Sequence, residues 1–91
     1  MTVICRQEVC EFAVLMEKQL QANEWKGGWQ DSNSVALIVH LLEEVKELLQ
    51  AVNGAAPVAH VYKEAADVGN LAMMVADVYS SLLKVRPSHE Q

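Results

Sequence analysis

Aromatic residues are scarce in this 91-residue chain: two Trp, two Tyr and one Phe, where Ala, Val, Leu and Met dominate. That balance disfavours a sheet and points to packed helices. Cysteine is nearly absent. Cys5 and Cys10 stand five apart, without the close spacing of zinc or redox pairs, and read as reduced thiols on a cytosolic helix. Basic residues are outnumbered, seven Lys and Arg against twelve Asp and Glu, for a net charge of −5. An acidic surface argues against a nucleic-acid polymer as partner, because duplex phosphates need cationic contacts. It suits a divalent cation, and an anionic substrate can arrive with that cation. A membrane-length apolar run is also missing, and the opening "MTVICRQEVCEF" carries Arg6, Glu8 and Glu11. Neither a signal peptide nor a membrane span is expected, so the chain reads as cytoplasmic. There is no internal repeat and no low-complexity tract.

What the chain does have is 52% hydrophobic residues, ample for one small domain over residues 1–91 and too many for a disordered class. A chain this short buries a modest share of its surface, so oligomerisation or a bound ion is a common supplement. Three helical segments are predicted. The first covers roughly residues 5–23, with Val9, Phe12, Met16 and Leu20 forming one buried stripe. The loop "NEWKGGWQDSNS" follows, and Ser32, Asn33 or Ser34 can cap the next helix. That helix covers roughly 34–52. Ile38, Leu41, Leu42, Val45, Leu48, Leu49 and Val52 share a broad apolar face, and His40, Glu43, Glu44 and Glu47 lie opposite. In "NGAAPV", Gly54 is placed to stop one helix and Pro57 to start another. The third helix covers roughly 58–85 and is apolar nearly all round between Leu71 and Val78. Gly69 lies in its middle at a cost of about 1 kcal/mol against Ala, marking a close helix contact or a break. The polar tail from about residue 86 is expected to fray.

Within "KEAADVGNLAMM", residues 63–74, two acids occupy positions that an apolar stripe needs. Successive helical residues are rotated by about 100°, which puts Glu64 in one arc with Leu71, Val75 and Val78, and Asp67 at its edge. Carboxylates are rarely buried without a partner. The short link after residue 53 makes helices two and three antiparallel neighbours, so Glu44 and Glu47 come to lie beside Glu64 and Asp67. A row of Glu on one helix is most often just a solvated face. The acids on the apolar arc change that balance, because two pairs at i, i+3 can wrap a hard cation in oxygen. All-oxygen ligands fit Mg²⁺ or Mn²⁺. Redox iron is disfavoured, since a di-iron bundle uses Glu-x-x-His pairs.

"EVKE" at 44–47, sixteen intervening residues and "EAAD" at 64–67 resemble the paired motifs of the MazG-like nucleoside triphosphate pyrophosphohydrolases, members of the all-α NTP pyrophosphatase superfamily. Glu43, the following "NLAMMVAD" and "KGGW" at 26–29 extend the likeness, which covers roughly residues 12–79. The resemblance implies an all-α, Mg²⁺-dependent enzyme that cleaves NTPs or dNTPs between the α and β phosphates, with dNTPs favoured and a role in nucleotide-pool control. It implies Glu44, Glu47, Glu64 and Asp67 as metal ligands, with Glu44 or Glu47 accepting the proton of the attacking water.

Other residues carry two readings each. Lys26 can meet a phosphate, and Trp29 can stack on a base or plug the open end of the bundle. Trp25 reads better as a plug. Asn70 can reach a sugar hydroxyl or a metal-bound water, or make a helix–helix hydrogen bond. His40 and Lys63 can touch phosphates, although a partly exposed structural His and a surface Lys are the ordinary interpretations. Asp77 reads as a subunit contact or a solvated acid. The architecture expected is a small antiparallel bundle of three to four helices, completed as a homodimer or homotetramer through Leu71, Met73, Met74, Val75 and Val78. Two rival functions remain: a helical assembly module without catalysis, and a phosphoribosyl-ATP pyrophosphohydrolase-like enzyme.

Overall fold

The computed structural model describes residues 4–84, and the frayed tail expected from about residue 86 lies outside them. The protein is a small all-α bundle: α1 (Gln7–Ala22), a 3₁₀ turn (Glu24–Lys26), α2 (Ser34–Asn53) and α3 (Val58–Lys84). Helix α1 begins two residues later than its apolar period suggests. Arg6 takes the N-cap position with no side-chain cap, and its carbonyl accepts the first helical bonds from Val9 and Cys10, each at 3.1 Å. Helix α2 is better capped. Of the three candidates it is Asn33 whose Oδ1 accepts from the backbone N–H of Val35 at 2.9 Å and of Ala36 at 3.2 Å.

The link between α2 and α3 departs from the sequence reading by one residue. Gly54, read as the stop, has an ordinary φ of −87°. Ala55 is the residue in the left-handed region, at φ 52°. Its N–H bonds Val52 O at 3.1 Å, and the N–H of Ala56 bonds Ala51 O at 2.9 Å, the paired closure of a Schellman motif. Left-handed backbone costs a non-glycine residue about 1–2 kcal/mol, partly offset by the smaller entropy loss of Ala. Ala55→Gly should therefore raise stability by about 0.5–1 kcal/mol, read as a higher urea midpoint at unchanged m-value.

Helix α3 is the centre of the fold. Among the described residues, α1 and α2 each pack against it and not against one another. Gly69 is a contact and not a break: a Cβ there would come 2.9 Å from Phe12 Cε2 and 3.4 Å from Met16 Sδ of α1. At the next residue, Asn70 Nδ2 donates to the Met16 carbonyl at 3.0 Å. On the α2 side, Leu37, Leu71 and Val78 form the core, with Trp29, Leu41, Met74 and Val75 packed on it.

Two sequence expectations need correction here. The broad apolar face of α2 splits in two. Leu41 and Leu48 are half-buried beside buried Leu37, whereas Ile38, Leu42, Val45, Leu49 and Val52 stay 41–64% exposed. The all-round apolar stretch of α3 is explained within one protomer, because Leu71 and Val78 are buried against α2 and Met73 and Met74 are half-buried. A helix flanked on two sides needs apolar residues on two faces. Leu71 and Val78 are thereby covered without a second subunit.

Candidate metal centre and ligand cleft

Because α1 and α2 flank α3 without meeting, an open cleft of about 870 Å³ runs between them over α3. That is within the usual range for small-ligand sites. His40, Glu44 and Glu47 line it from α2, and Lys63, Asp67 and Asn70 from α3. The loop after α1 supplies Lys26, Gly27, Gly28 and Trp29. Antiparallel packing of α2 on α3 brings the two acidic pairs together, as their distance from the connecting link dictates.

Glu44, Glu47 and Glu64 each offer a carboxylate oxygen within 4.8 Å of the others. Three like charges at that range repel by on the order of 3 kcal/mol per pair before solvent screening, at an effective dielectric of about 20. Glu64 is the most enclosed, at 4% exposure, and its Oε1 has no hydrogen-bond partner. Its Oε2 lies 3.6 Å from His60 Nε2 and 3.8 Å from Lys63 Nζ, beyond good hydrogen-bond length. The Glu44 carboxyl is pushed up from its ordinary range, chiefly by burial and then by the charges of Glu47 and Asp67, with His40 opposing. A group of oxygens that repel one another, one of them buried and unpartnered, can hold a metal ion.

Asp67 stands apart from that triad. Its Oδ2 accepts from Lys63 Nζ at 3.2 Å, and this bond is the main reason the Lys63 ammonium is raised. Lys63 thus lies against both acids of α3 at once, as a built-in counter-charge to Glu64 and Asp67. His40 Nε2 sits 3.5 Å from Glu44 Oε2 one turn away. Glu43 is exposed and does not line the cleft, so its helical position leaves it outside.

Asn70 is 4% exposed, and its orientation is fixed because only the amide nitrogen can donate to the Met16 carbonyl. The Oδ1 atom is left as a buried acceptor without a partner. The helix–helix reading therefore holds for the amide-nitrogen half of the side chain. The two tryptophans reverse their expected ranking. Trp25 is 80% exposed, with Lys26 Nζ stacked 5.5 Å from its ring centroid, and it plugs nothing. Trp29 is half-buried on the core, and its Nε1 donates to Asp77 Oδ2 at 3.0 Å.

Asp77 is therefore a half-buried anchor for the loop and not a freely solvated acid. A signal for it existed: a buried indole N–H needs an acceptor, and Asp77 is an acid in an otherwise apolar run. His60 was also missed, although its spacing to Glu64 repeats that of His40 to Glu44. No protein-family model, curated protein or solved structure matches the chain.

Proposed function

We propose that this chain is a divalent-cation-dependent nucleotide pyrophosphohydrolase, converting a (d)NTP to the (d)NMP and pyrophosphate in the cytoplasm, with dNTPs preferred. The observation that carries the reading is Glu64, buried with an unpartnered oxygen beside Glu44 and Glu47. The motif resemblance of the two acidic pairs supplies the reaction class. These residues fit a hard cation such as Mg²⁺, with Mn²⁺ as a substitute, since every donor is oxygen. Glu44, Glu47 and Glu64 would hold it, and Asp67 would join them on leaving Lys63. When bound, the cation neutralises the triphosphate and acidifies the attacking water.

The chain's own residues account for the rest. The raised Glu44 carboxylate, or Glu47 beside it, accepts the proton of the water. Lys63, once released by Asp67, and Lys26 at the loop present ammonium groups to the phosphates, with His40 nearby. Asn70 Oδ1 accepts from a hydroxyl of the sugar, and Trp29 walls the cleft where the base would lie.

A second reading, a helical assembly module without catalysis, draws on the exposed apolar stripe of α2. Pyrophosphate release over a panel of NTPs, dNTPs and phosphoribosyl-ATP, with Mg²⁺ and with EDTA, separates the possibilities. Turnover of a dNTP that EDTA abolishes is the expected result. Best turnover of phosphoribosyl-ATP would move the substrate, and no turnover of any nucleotide would leave the assembly module.

A further inference from the structure

Cys5 and Cys10 have no redox-pair spacing in the sequence, yet the start of α1 brings them together. Arg6 is the N-cap, so Cys5 stands just before the cap and Cys10 is the fourth residue of the helix. The Cys10 N–H donates to the Arg6 carbonyl at 3.1 Å, which ties its backbone to the residue that follows Cys5. Side chains at these two positions meet in the hydrophobic staple, where the residue before the cap folds back over the first turn. Here the staple is made of two thiols. They share a hydrogen bond, and this is the main reason the Cys10 thiol is raised above its ordinary value. Both are exposed, so reagents in solution reach them.

The end of α1 that they close is otherwise weakly held. Arg6 supplies no side-chain cap, and no residue of α1 is buried. Contact with α3 at Gly69 comes from Phe12 and Met16, beyond the first turn. A covalent link between Cys5 and Cys10 would fix the part of the helix that lies outside this contact.

We propose that Cys5 and Cys10 form a reversible disulfide that staples the N-terminus of α1, closed by a low-molecular-weight disulfide such as oxidised glutathione. The raised Cys10 thiol is the slower attacker, so the first step falls to Cys5. Its thiolate attacks one sulfur of oxidised glutathione, forming a mixed disulfide and releasing one glutathione thiolate. With Cys5 capped, the shared hydrogen bond is gone. The Cys10 thiolate then attacks the Cys5 sulfur, the Cys5–Cys10 bond forms, and the second glutathione leaves. The two cysteine protons pass to the two glutathione thiolates, and the two electrons lost by the protein reduce the glutathione disulfide. A reducing glutathione pool keeps the pair open, and an oxidised one closes it. The proposal is independent of the catalytic reading.

The test places the reduced full chain in a glutathione redox buffer of rising oxidised fraction. Intact mass, free thiols counted with a chromogenic disulfide, and a non-reducing tryptic digest are then read. Trypsin cuts after Arg6, between the two cysteines, and after Lys18. The expected product is one chain that has lost two hydrogens and both titratable thiols. Its peptides 1–6 and 7–18 should travel as one until dithiothreitol parts them. Its melting midpoint should stand about 5–10 °C above that of the reduced chain, as suits a short closed loop. Cys5→Ser and Cys10→Ser should each stop at one bound glutathione and show no such rise. By linkage, the folded chain should favour the disulfide about tenfold more than the same chain unfolded in urea. Two bound glutathiones, a disulfide between chains, or thiols left untouched would overturn the proposal. So would a disulfide that forms equally well in urea or leaves the melting midpoint where it was.

Discussion

Glu64→Gln should fold normally, lose nearly all turnover, and lose most of its melting response to Mg²⁺. In wild type the Glu64 carboxylate is 4% exposed and shares a 4.8 Å cluster with Glu44 and Glu47. A cation that binds this folded cluster stabilises it by mass action, about 2.7 kcal/mol at a hundredfold excess over Kd. For a domain of this size each kcal/mol moves Tm by about 4–8 °C, so the wild-type shift between EDTA and millimolar Mg²⁺ is large enough to read directly. Glutamine keeps the shape, removes a negative charge from the cluster and can place a donor towards Glu44. Without metal, the variant should melt no lower than wild type, because repulsion among the acids is relieved. The two halves of the result depend on each other. Full activity in Glu64→Gln, or an unchanged response to Mg²⁺, would mean that the buried acid is there for another reason.

The parts of this site that were legible in the sequence are those set by local period. Glu64 stood out because it interrupts an apolar arc, and its burial follows from that arc. Antiparallel pairing of α2 and α3 followed from a link too short for any other path, and it brings Glu44 and Glu47 opposite Glu64. What the sequence could not display is partner choice among neighbours one turn apart. Asp67 bonds Lys63, where the motif alone would make it a fourth ligand of equal standing. Lys63 lies at i, i+4 from Asp67 and Glu64 at i, i+3, both within reach of one side chain, and the choice depends on where charge is not yet neutralised. The Schellman closure shows the same limit at the backbone: Gly54 and Ala55 are adjacent, and the chain puts the left-handed φ on the alanine.

The apolar face of α2 shows a different limit. Seven apolar residues on one helix were readable, but which of them α3 would cover was not. A stripe wide enough for two partners looks like one broad face until the crossing is known. Leu41 and Leu48 turn towards α3, while Val45 and Leu49 stay exposed. The long-range pair Trp29–Asp77 is further still from local pattern, its members 48 positions apart.

That pair makes the second large prediction. Trp29→Ala should lower stability by about 2–4 kcal/mol, somewhat below the range for a fully buried aromatic because the ring is only half-buried. Two losses combine in it. The packing of the ring on Leu37, Leu71 and Val78 goes, and so does the 3.0 Å bond that Nε1 donates to Asp77. Hydrogen bonds to charged groups are worth about 1.5–3 kcal/mol when made, less where water can replace the donor. Trp29→Phe separates the two contributions, since it retains most of the ring packing and removes the donor. It should cost about 1–2 kcal/mol, and a cycle with Asp77→Asn should show the two positions coupled. The same loop also walls the cleft, so KM in the pyrophosphate-release assay should rise in Trp29→Ala and recover in Trp29→Phe, which still offers a flat ring to a base. Thermal melting beside KM for the three variants distinguishes an anchor from a pure stacking platform. If Trp29→Ala melts with wild type while KM rises tenfold, the indole serves the ligand alone, and the bond to Asp77 contributes nothing to holding the loop.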